Sequence, residues 1–167
     1  MPLERADPVI VVVGSLNIDL VTYVARVPGA GETVFGDRFV MGFGGKGANQ
    51  AVMAARLGAR VSMVGALGDD VYAGMTLENL AAQGVDTTHI ARVAGSSGVA
   101  PIWVEADGTN RIIVVGGAND AVDPDVAARA VRSLASAAVV VGQVEVAQGV
   151  TTSAFEGARA SGAVTDR

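Results

Sequence analysis

The first apolar segment of the chain is Val9–Val13, a run of five β-branched residues that restricts the fold more than any other feature. A strand that is apolar at every position leaves no face for water, so it belongs in a sheet that is covered on both sides. Residues 61–66 are again strand-like, and residues 138–141 form a third run that suits a buried strand. Because such strands occur mainly in parallel sheets flanked by helices, the pattern predicts an α/β layered domain.

Four helical segments are predicted between and after these strands. The second and third have a marked start, where Asp can cap free backbone N–H groups and, in the third, Pro sets the first turn. The first and second end at or near Gly. The predicted helices are residues 47–57 ending at Gly58, residues from Asp69 or Asp70 to near Gly84, residues from Asp123 and Pro124 onward, and residues 147–161. In the third helix, one face is expected to be formed by Val126, Ala130, Val131 and Leu134.

Two stretches lack helical periodicity and are rich in β-forming residues, namely residues 20–41 and residues 97–115. In the second stretch, Asp107 and Gly108 suit the turn of a hairpin. Pro101 lies inside the first strand of that hairpin. Because proline cannot donate to a sheet ladder, we expect this strand to be at an edge or to be locally irregular. The two stretches predict a small β layer beside the main sheet.

The composition excludes several classes of function. The net charge is −5, and no basic stripe marks a surface for nucleic acid. Cysteine is absent and His89 is the only histidine, which excludes disulfides, a thiol nucleophile and a His-rich zinc site. Glu4, Arg5 and Asp7 are the wrong charges for a secretory signal, and no apolar run approaches the roughly 18 residues of a membrane span. We expect a cytoplasmic protein that binds neither nucleic acid nor membrane.

Residues 42–50, Gly-Phe-Gly-Gly-Lys-Gly-Ala-Asn-Gln, form the richest local motif and lie at the start of the first predicted helix. Glycines let a ligand approach the backbone, and a helix N-terminus offers free N–H groups. Lys46 is the only lysine of the chain. The alternatives are an ordinary glycine-rich turn and a dinucleotide loop, since Gly42, Gly44 and Gly47 match G-x-G-x-x-G. The dinucleotide loop should follow the first strand directly, which this motif does not, and a Walker A loop is excluded because Gly47 replaces the required Ser or Thr.

Polar side chains follow two of the predicted buried strands. Asn17 and Asp19 come after the first strand, and Glu145 comes after the third. The carboxyl ends of the strands are where α/β sheets bind ligands. An amide beside a carboxylate suits sugar hydroxyl groups, which both donate and accept hydrogen bonds. The alternatives are an ordinary Asx turn for Asn17 and Asp19 and a solvated loop acid for Glu145.

Together these motifs resemble the ribokinase family of ATP-dependent carbohydrate kinases, the PfkB superfamily. The resemblance rests on Asn-Ile-Asp at residues 17–19 and on Gly-Gly-Lys-Gly-Ala-Asn-Gln-Ala at residues 44–51. It continues in the family's order through residues 28–33, 65–70, 116–119 and 143–145, and so covers nearly the whole chain. The form of residues 44–50 is most similar to the ribokinase branch of the family.

The resemblance implies a ribokinase-like, doubly wound, mostly parallel α/β sheet with a small β lid over the sugar, formed by segments near residues 20–41 and 97–115. It implies ATP-dependent phosphorylation of a pentose, ribose to ribose 5-phosphate, with ATP and Mg²⁺ as cofactors. It also implies a homodimer formed through the lid. The residues that it assigns to the sugar are Asn17, Asp19, Gly44, Gly45, Lys46, Asn49 and Glu145, with Ala100 and Ile102 as apolar lid contacts.

Members of this family are about twice as long as this chain. Their second half carries an Asn-x-x-Glu motif linked to magnesium and phosphate, a Gly-Ala-Gly-Asp loop with the catalytic base, and the adenine site. Residues 1–167 are therefore expected to form a truncated, partial ribokinase-like domain that supplies the sugar-binding residues, with no catalytic residue, no metal ligand and few ATP contacts. The alternative is a non-catalytic, truncated protein that binds sugar or mediates an interaction.

Overall fold

The computed structural model describes residues 9–134, 137–160 and 162–167. The charged residues of the first eight positions, on which the exclusion of a secretory signal depends, lie outside the described residues. Ser161, the predicted end of the fourth helix, also lies outside them.

Nine strands and four α-helices make up the described part of the chain. The strands are β1 Val9–Val13, β2 Asn17–Tyr23, β3 Arg38–Gly44, β4 Arg60–Leu67, β5 Val85–Arg92, β6 Gly98–Val104, β7 Asn110–Ile112, β8 Ala137–Gly142 and β9 Val164–Asp166. The helices are α1 Lys46–Arg56, α2 Val71–Ala82, α3 Pro124–Ser133 and α4 Gln148–Ala160, with a short 3-10 helix at Gly117–Ala121. Within the described residues, we find no helix with the length and apolar character needed to cross a membrane.

The main sheet is parallel throughout and has the strand order β5-β4-β1-β8-β9. Alternate side chains of β1 pack into two separate hydrophobic clusters, one on each face of the sheet. Val11 and Val13 pack in a cluster with residues of α3 and α4, whereas Val12 packs in a cluster with residues of α1 and α2. Helices therefore cover both faces of the sheet, and the predicted doubly wound α/β fold is confirmed.

The order of the strands reverses direction at β1. The chain passes from β1 to β4 and β5 on one side, and later returns to β8 and β9 on the other side. In open α/β sheets, a crevice for ligands forms outside the carboxyl ends of the strands at such a reversal. The residues that follow β1, from Gly14 to Leu16, occupy this position.

Caps confirm the predicted starts of α2 and α3, whereas α1 begins after Gly45, which provides no side-chain cap. The Asp70 side chain accepts a hydrogen bond from Ala73 N at 3.1 Å, and the Asp123 side chain accepts bonds from the first turn of α3. Of the residues predicted to share one face of α3, Ala130 and Val131 are buried, whereas Val126 is 40% exposed. Val126 lies four residues before Ala130 and therefore on the same side of the helix, but in the exposed first turn.

The two β-rich stretches form a second, smaller sheet with the order β3-β2-β6-β7. Strand β2 pairs antiparallel with β3 and parallel with β6, and β6 pairs antiparallel with β7. The strands start earlier and end later than predicted, since β2 begins at Asn17 and β3 ends at Gly44. Residues 24–37 form an irregular connection between them. The small β layer is confirmed, and its ends reach the polar residues that follow β1.

Strand β6 lies between β2 and β7, so the edge position suggested for the strand of Pro101 is wrong. The local irregularity is confirmed. Ile113 N donates to Pro101 O at 3.0 Å, and proline has no N–H with which to return the bond. The β7 ladder accordingly ends at Ile112, and only an isolated bridge between Val99 and Val115 continues the pairing.

Candidate functional site

Ser15 joins the end of β1 to the start of α1. This residue is fully buried. Its carbonyl oxygen accepts a hydrogen bond from Ala48 N at 3.0 Å, and its Oγ accepts one from Gly47 N at 3.3 Å. The N-terminus of α1 has free N–H groups, and Ser15 satisfies two of them. The helix is thereby held against the carboxyl end of the central strand.

The glycines before and within α1 allow this close contact. Gly45 has a φ of 90°, and a Cβ placed on it would lie 2.7 Å from Ser15 O. A Cβ on Gly47 would lie 2.7 Å from Ser15 N. A Cβ on Gly44 would instead lie 2.4 Å from both carboxylate oxygens of Asp19. Gly45 and Gly47 are therefore required by backbone packing, and Gly44 leaves room for the carboxylate of Asp19.

Glu145 lies at the centre of the polar groups around this junction. Its Oε2 accepts hydrogen bonds from Ser15 Oγ at 2.7 Å and from Lys46 N at 2.9 Å. Its Oε1 forms an ion pair with Lys46 Nζ at 2.5 Å. Burial alone would raise the pKa of the Glu145 carboxyl, but the bonds from Lys46 and Ser15 outweigh burial and hold the pKa below its usual value. Glu145 is therefore an ionised acceptor at neutral pH.

Asp19 is the second carboxylate of the site and lies on β2. In the small sheet it is in register with Gly42 on one side and with Ala100 on the other. Burial raises the pKa of Asp19 above its ordinary value of 3.8, and the negative charge of Glu145 raises that pKa further. The two carboxylates therefore repel each other across the junction.

Asn17 begins β2 and is buried. Its Oδ1 accepts a hydrogen bond from Asn119 Nδ2 at 2.7 Å. Both residues line a cleft of about 460 Å³ that lies between the start of β2, residues 114–120 and residues 144–147. Glu145 lines the same cleft. The cleft is at the position where the strand order reverses, as expected for a ligand site of this fold.

The remaining predicted site residues occupy different surroundings. Ala100 is buried beside Asp19, and Ile102 is half-buried two residues further along β6, opposite Val21. Asn49 is exposed on the first turns of α1 and lines a separate cleft of about 390 Å³ between α1 and α2. The structure thus groups Lys46 with Glu145, and Asp19 with Gly44 and Ala100, while the Asn49 side chain lies apart.

Ser15 and Asn119 contribute to the site, although no role was predicted for either of them. Ser15 directly follows Gly14 at the end of the first strand, and a hydroxyl at that place is a signal that could have been used. Asn119 lies in the segment 116–119 that supports the family resemblance, but its partners are about 100 residues away. Its hydrogen bonds depend on the tertiary structure.

The site presents both kinds of hydrogen-bonding group that a polyhydroxyl ligand requires. Asp19 and Glu145 supply acceptors, and Lys46 supplies a charged donor; bonds to charged groups are the stronger class. Among the described residues, no group of three or more His, Cys, Asp or Glu side chains is arranged to hold a metal ion.

Comparison with protein families gives a match over residues 7–163 to a model described as "pfkB family carbohydrate kinase". The chain is 49% identical over 138 residues to a ribokinase from Bacillus subtilis, covering 82% of this chain and 47% of that protein. It is 44% identical over 138 residues to a deoxyribokinase from Salmonella typhi, covering 82% of this chain and 45% of that protein. The chain spans about half the length of the curated relatives it matches.

Among solved structures, the chain is similar to Arabidopsis thaliana ribokinase complexed with ribose and ATP. The TM-score is 0.85 with 32% sequence identity, and the match covers 96% of this chain and 52% of that protein. The similarity therefore extends over both the main sheet and the smaller one.

Proposed function

The chain belongs to the pfkB family of carbohydrate kinases, and we propose that it provides the sugar-binding half of an ATP-dependent kinase that converts ribose to ribose 5-phosphate. The observation that carries the proposal is the grouping of Lys46 with Glu145, with Asp19 and Asn17 nearby, at the carboxyl end of β1. Relatives named ribokinase and the likeness to a ribokinase complexed with ribose and ATP support ribose as the substrate.

In the proposed complex, the sugar hydroxyls alternate as donors and acceptors among these groups. Asp19 and Glu145 accept hydrogen bonds from hydroxyl groups, and Lys46 Nζ donates a hydrogen bond to a hydroxyl oxygen. A hydroxyl inserted between Lys46 and Glu145 can accept from the first and donate to the second, so neither charge is left without a partner. Ala100 and Ile102 contribute apolar surface beside Asp19, and Gly44 and Gly45 let the backbone approach the ring. Asn49 is proposed to reach the sugar only after its side chain turns away from the cleft between α1 and α2.

ATP and Mg²⁺ belong to the proposed reaction of the whole kinase. Among the described residues no three or more His, Cys, Asp or Glu side chains are grouped to hold a metal ion; in kinases, Mg²⁺ is bound mainly by one or two carboxylates and by the phosphates of the nucleotide. Phosphoryl transfer depends on positioning the donor and on neutralising charge on the transferred group. We assign those tasks, and the base that takes the hydroxyl proton, to the part of the enzyme that lies beyond the matched half of the relatives. Because the reaction consumes ATP, we place it in the cytoplasm.

The smaller sheet is proposed to act as the lid and as the contact of a homodimer. Along β3, Phe39, Met41 and Phe43 alternate with Gly42 and Gly44, so they are on the face opposite Asp19. Phe39 is 62% exposed and Phe43 is 37% exposed. Contiguous apolar surface of this kind is typical of protein interfaces. Sedimentation equilibrium should show a dimer that a Phe39→Glu substitution weakens, and a monomer at every concentration would contradict this assignment.

Isothermal titration of the 167-residue chain with ribose, 2-deoxyribose and glucose tests the sugar site. We expect ribose to bind more tightly than glucose, and absence of ribose binding would reject the proposal. Tighter binding of 2-deoxyribose would indicate deoxyribose as the substrate, in line with the name of the Salmonella deoxyribokinase, and would leave the proposed location of the site unchanged.

A coupled assay with ribose, ATP and Mg²⁺ tests whether phosphoryl transfer requires a second part of the enzyme in addition to this chain. We expect residues 1–167 alone to stay well below the roughly 1–100 turnovers per second that are typical of kinases. Addition of the second half of the Bacillus subtilis ribokinase as a separate chain should restore turnover. Ribose binding without any turnover in the mixture would favour the non-catalytic alternative, and full turnover by this chain alone would contradict the proposed division.

A further inference from the structure

The side-chain amide of Asn119 makes three hydrogen bonds, and these fix the positions of its oxygen and its nitrogen. It is 1% exposed. Its Oδ1 accepts from Leu16 N at 2.9 Å, and its Nδ2 donates to Leu16 O at 3.1 Å and to Asn17 Oδ1 at 2.7 Å. Because the N–H and C=O of Leu16 have fixed places, a reversed Asn119 amide would set nitrogen against nitrogen and oxygen against oxygen. The peptide of Leu16 therefore determines which way the amide points.

The orientation of Asn119 determines the orientation of Asn17. Both Nδ2 protons of Asn119 are used, one on Leu16 O and one on Asn17 Oδ1. The oxygen of Asn17 must therefore face Asn119, and its Nδ2 group is left for other partners. Within the described part of the chain, no atom accepts a hydrogen bond from Asn17 Nδ2. Asn17 lines the cleft that Glu145 also lines.

We propose that Asn119 is a positioning residue that makes Asn17 present only N–H donors to the sugar. This inference rests on the proposed function of the cleft. Asp19 and Glu145 already offer carboxylate acceptors, so a sugar hydroxyl that donates to a carboxylate needs a donor for its own oxygen. A reversed Asn17 would replace a donor with a third acceptor, so one fewer hydroxyl oxygen could be paired. Discrimination is strong when a site's polar groups can pair in only one way.

Gly98 supports the same arrangement from the opposite strand. A Cβ at Gly98 would lie 2.1 Å from Asn17 Oδ1 and 2.3 Å from Asn119 Nδ2. The absence of a side chain on β6 at this point creates the space in which the two amides meet. The contact between the Asn17 and Asn119 amides therefore belongs to the packing of β2, β6 and the 3-10 helix, where both side chains are buried.

The Asn119→Asp substitution is expected to reverse the orientation of the Asn17 amide, while the side chain at position 119 keeps nearly the same size. The carboxylate can still accept from Leu16 N, but its second oxygen can donate neither to Leu16 O nor to Asn17 Oδ1. Asn17 should therefore turn and donate its Nδ2 to the new carboxylate. We expect the dissociation constant for ribose to rise about tenfold, the order of one hydrogen bond to a sugar hydroxyl. Asn110→Asp, which adds the same charge at an exposed position on β7, is the matched control and should leave ribose binding unchanged.

Epistasis separates positioning from a general structural effect. If Asn119 acts through Asn17, Asn119→Asp should weaken ribose binding in the native background and should cause no further loss in an Asn17→Ala background. A further loss of similar size in that background would overturn the inference. Asn119→Ser provides a second variant should the buried carboxylate prevent folding. It is expected to cause a smaller loss, again only where Asn17 is present.

Nuclear magnetic resonance gives a readout that does not depend on sugar binding. The chain contains five asparagines, so asparagine-selective ¹⁵N labelling yields few side-chain signals. In the free protein, Asn119→Asp should shift the Asn17 Nδ2 signals and slow their exchange with solvent, while the Asn110→Asp control leaves them in place. Unchanged Asn17 signals would overturn the inference. If the native chain fails to bind ribose, the proposed function is rejected, and this measurement still decides the amide orientation.

Discussion

Glu145 and Lys46 are 99 residues apart in the sequence and are joined by two contacts in the structure. The Glu145 carboxylate accepts the backbone N–H of Lys46 at 2.9 Å and also forms an ion pair with its ammonium group. The first contact anchors the start of α1, because a carboxylate at a helix N-terminus is favoured by the helix dipole. The second contact holds the only lysine of the chain at the proposed sugar site. The two contacts can be separated by substitution at the side chain of Lys46.

Lys46→Met should weaken ribose binding by about tenfold or more while changing the thermal midpoint little. The Lys46 side chain is 62% exposed, and such ion pairs contribute about 0–1 kcal/mol to stability, which corresponds to at most about 4 °C for a domain of this size. The backbone bond to Glu145 survives the change. Calorimetric titration and thermal unfolding measure the two effects. Arg129→Met on the exposed side of α3 is the control for loss of a cation. A large fall in stability with intact ribose binding would favour a purely structural glycine-rich helix start.

Asp19→Ala should reduce ribose affinity by at least about tenfold, because hydrogen bonds to a charged group contribute about 1.5–3 kcal/mol each. In a complete kinase the same factor is expected in kcat/KM for ribose. Titration calorimetry provides the measurement for the chain. Asp37→Ala, in the exposed connection before β3, serves as the matched loss of a carboxylate. Unchanged affinity in the Asp19 variant would remove Asp19 from the proposed site.

Asp19→Asn should raise the thermal stability of the free protein at pH 7. Burial and the charge of Glu145 raise the pKa of Asp19 in the folded state above its ordinary value of 3.8, so folding disfavours its charged form. The cost is therefore present above the folded pKa and disappears as the pH falls below 3.8, where Asp19 is protonated in both states. Thermal midpoints of the two proteins should differ at pH 7 and converge at low pH. If the two thermal midpoints instead diverge as the pH falls, folding does not raise the pKa of Asp19.

Gly47→Ala should destabilise the protein by about 1–3 kcal/mol, the usual cost of forcing a methyl group into a packed interior. Its Cβ would lie 2.7–2.8 Å from backbone atoms of Gly14 and Ser15, which cannot move aside as a flexible side chain would. Gly74→Ala on α2 is the control, since a Cβ there meets nothing within 4 Å. That variant should be stabilised by about 0.4–1 kcal/mol, because alanine loses less backbone entropy on folding. Denaturant unfolding distinguishes the two, and equal stabilities would contradict the packing at Ser15.

Much of the fold could be predicted because its signals are local. The β-branched run of β1 required cover on both faces, and the caps at Asp70 and Asp123 marked helix starts from side chains within three residues of the groups that they satisfy. The signals of neighbours in space were missing. The exposure of Val126 depends on how α3 lies against the sheet, and the edge position suggested for the strand of Pro101 was wrong because β6 pairs with β2 as well as with β7.

The sequence by itself determined the strands, the helices and the glycines at the start of α1, because alternation, helical spacing and capping act over a few residues. It also placed Asn17, Asp19 and Glu145 after strands whose ends meet at one edge of a parallel sheet. Only the tertiary structure decided which of these groups touch. Ser15 bonds Glu145 over 130 residues and Asn119 bonds Leu16 over 103 residues. Such contacts form only after the sheet has assembled, since the packing of distant elements, and no local preference, brings their atoms within hydrogen-bond distance.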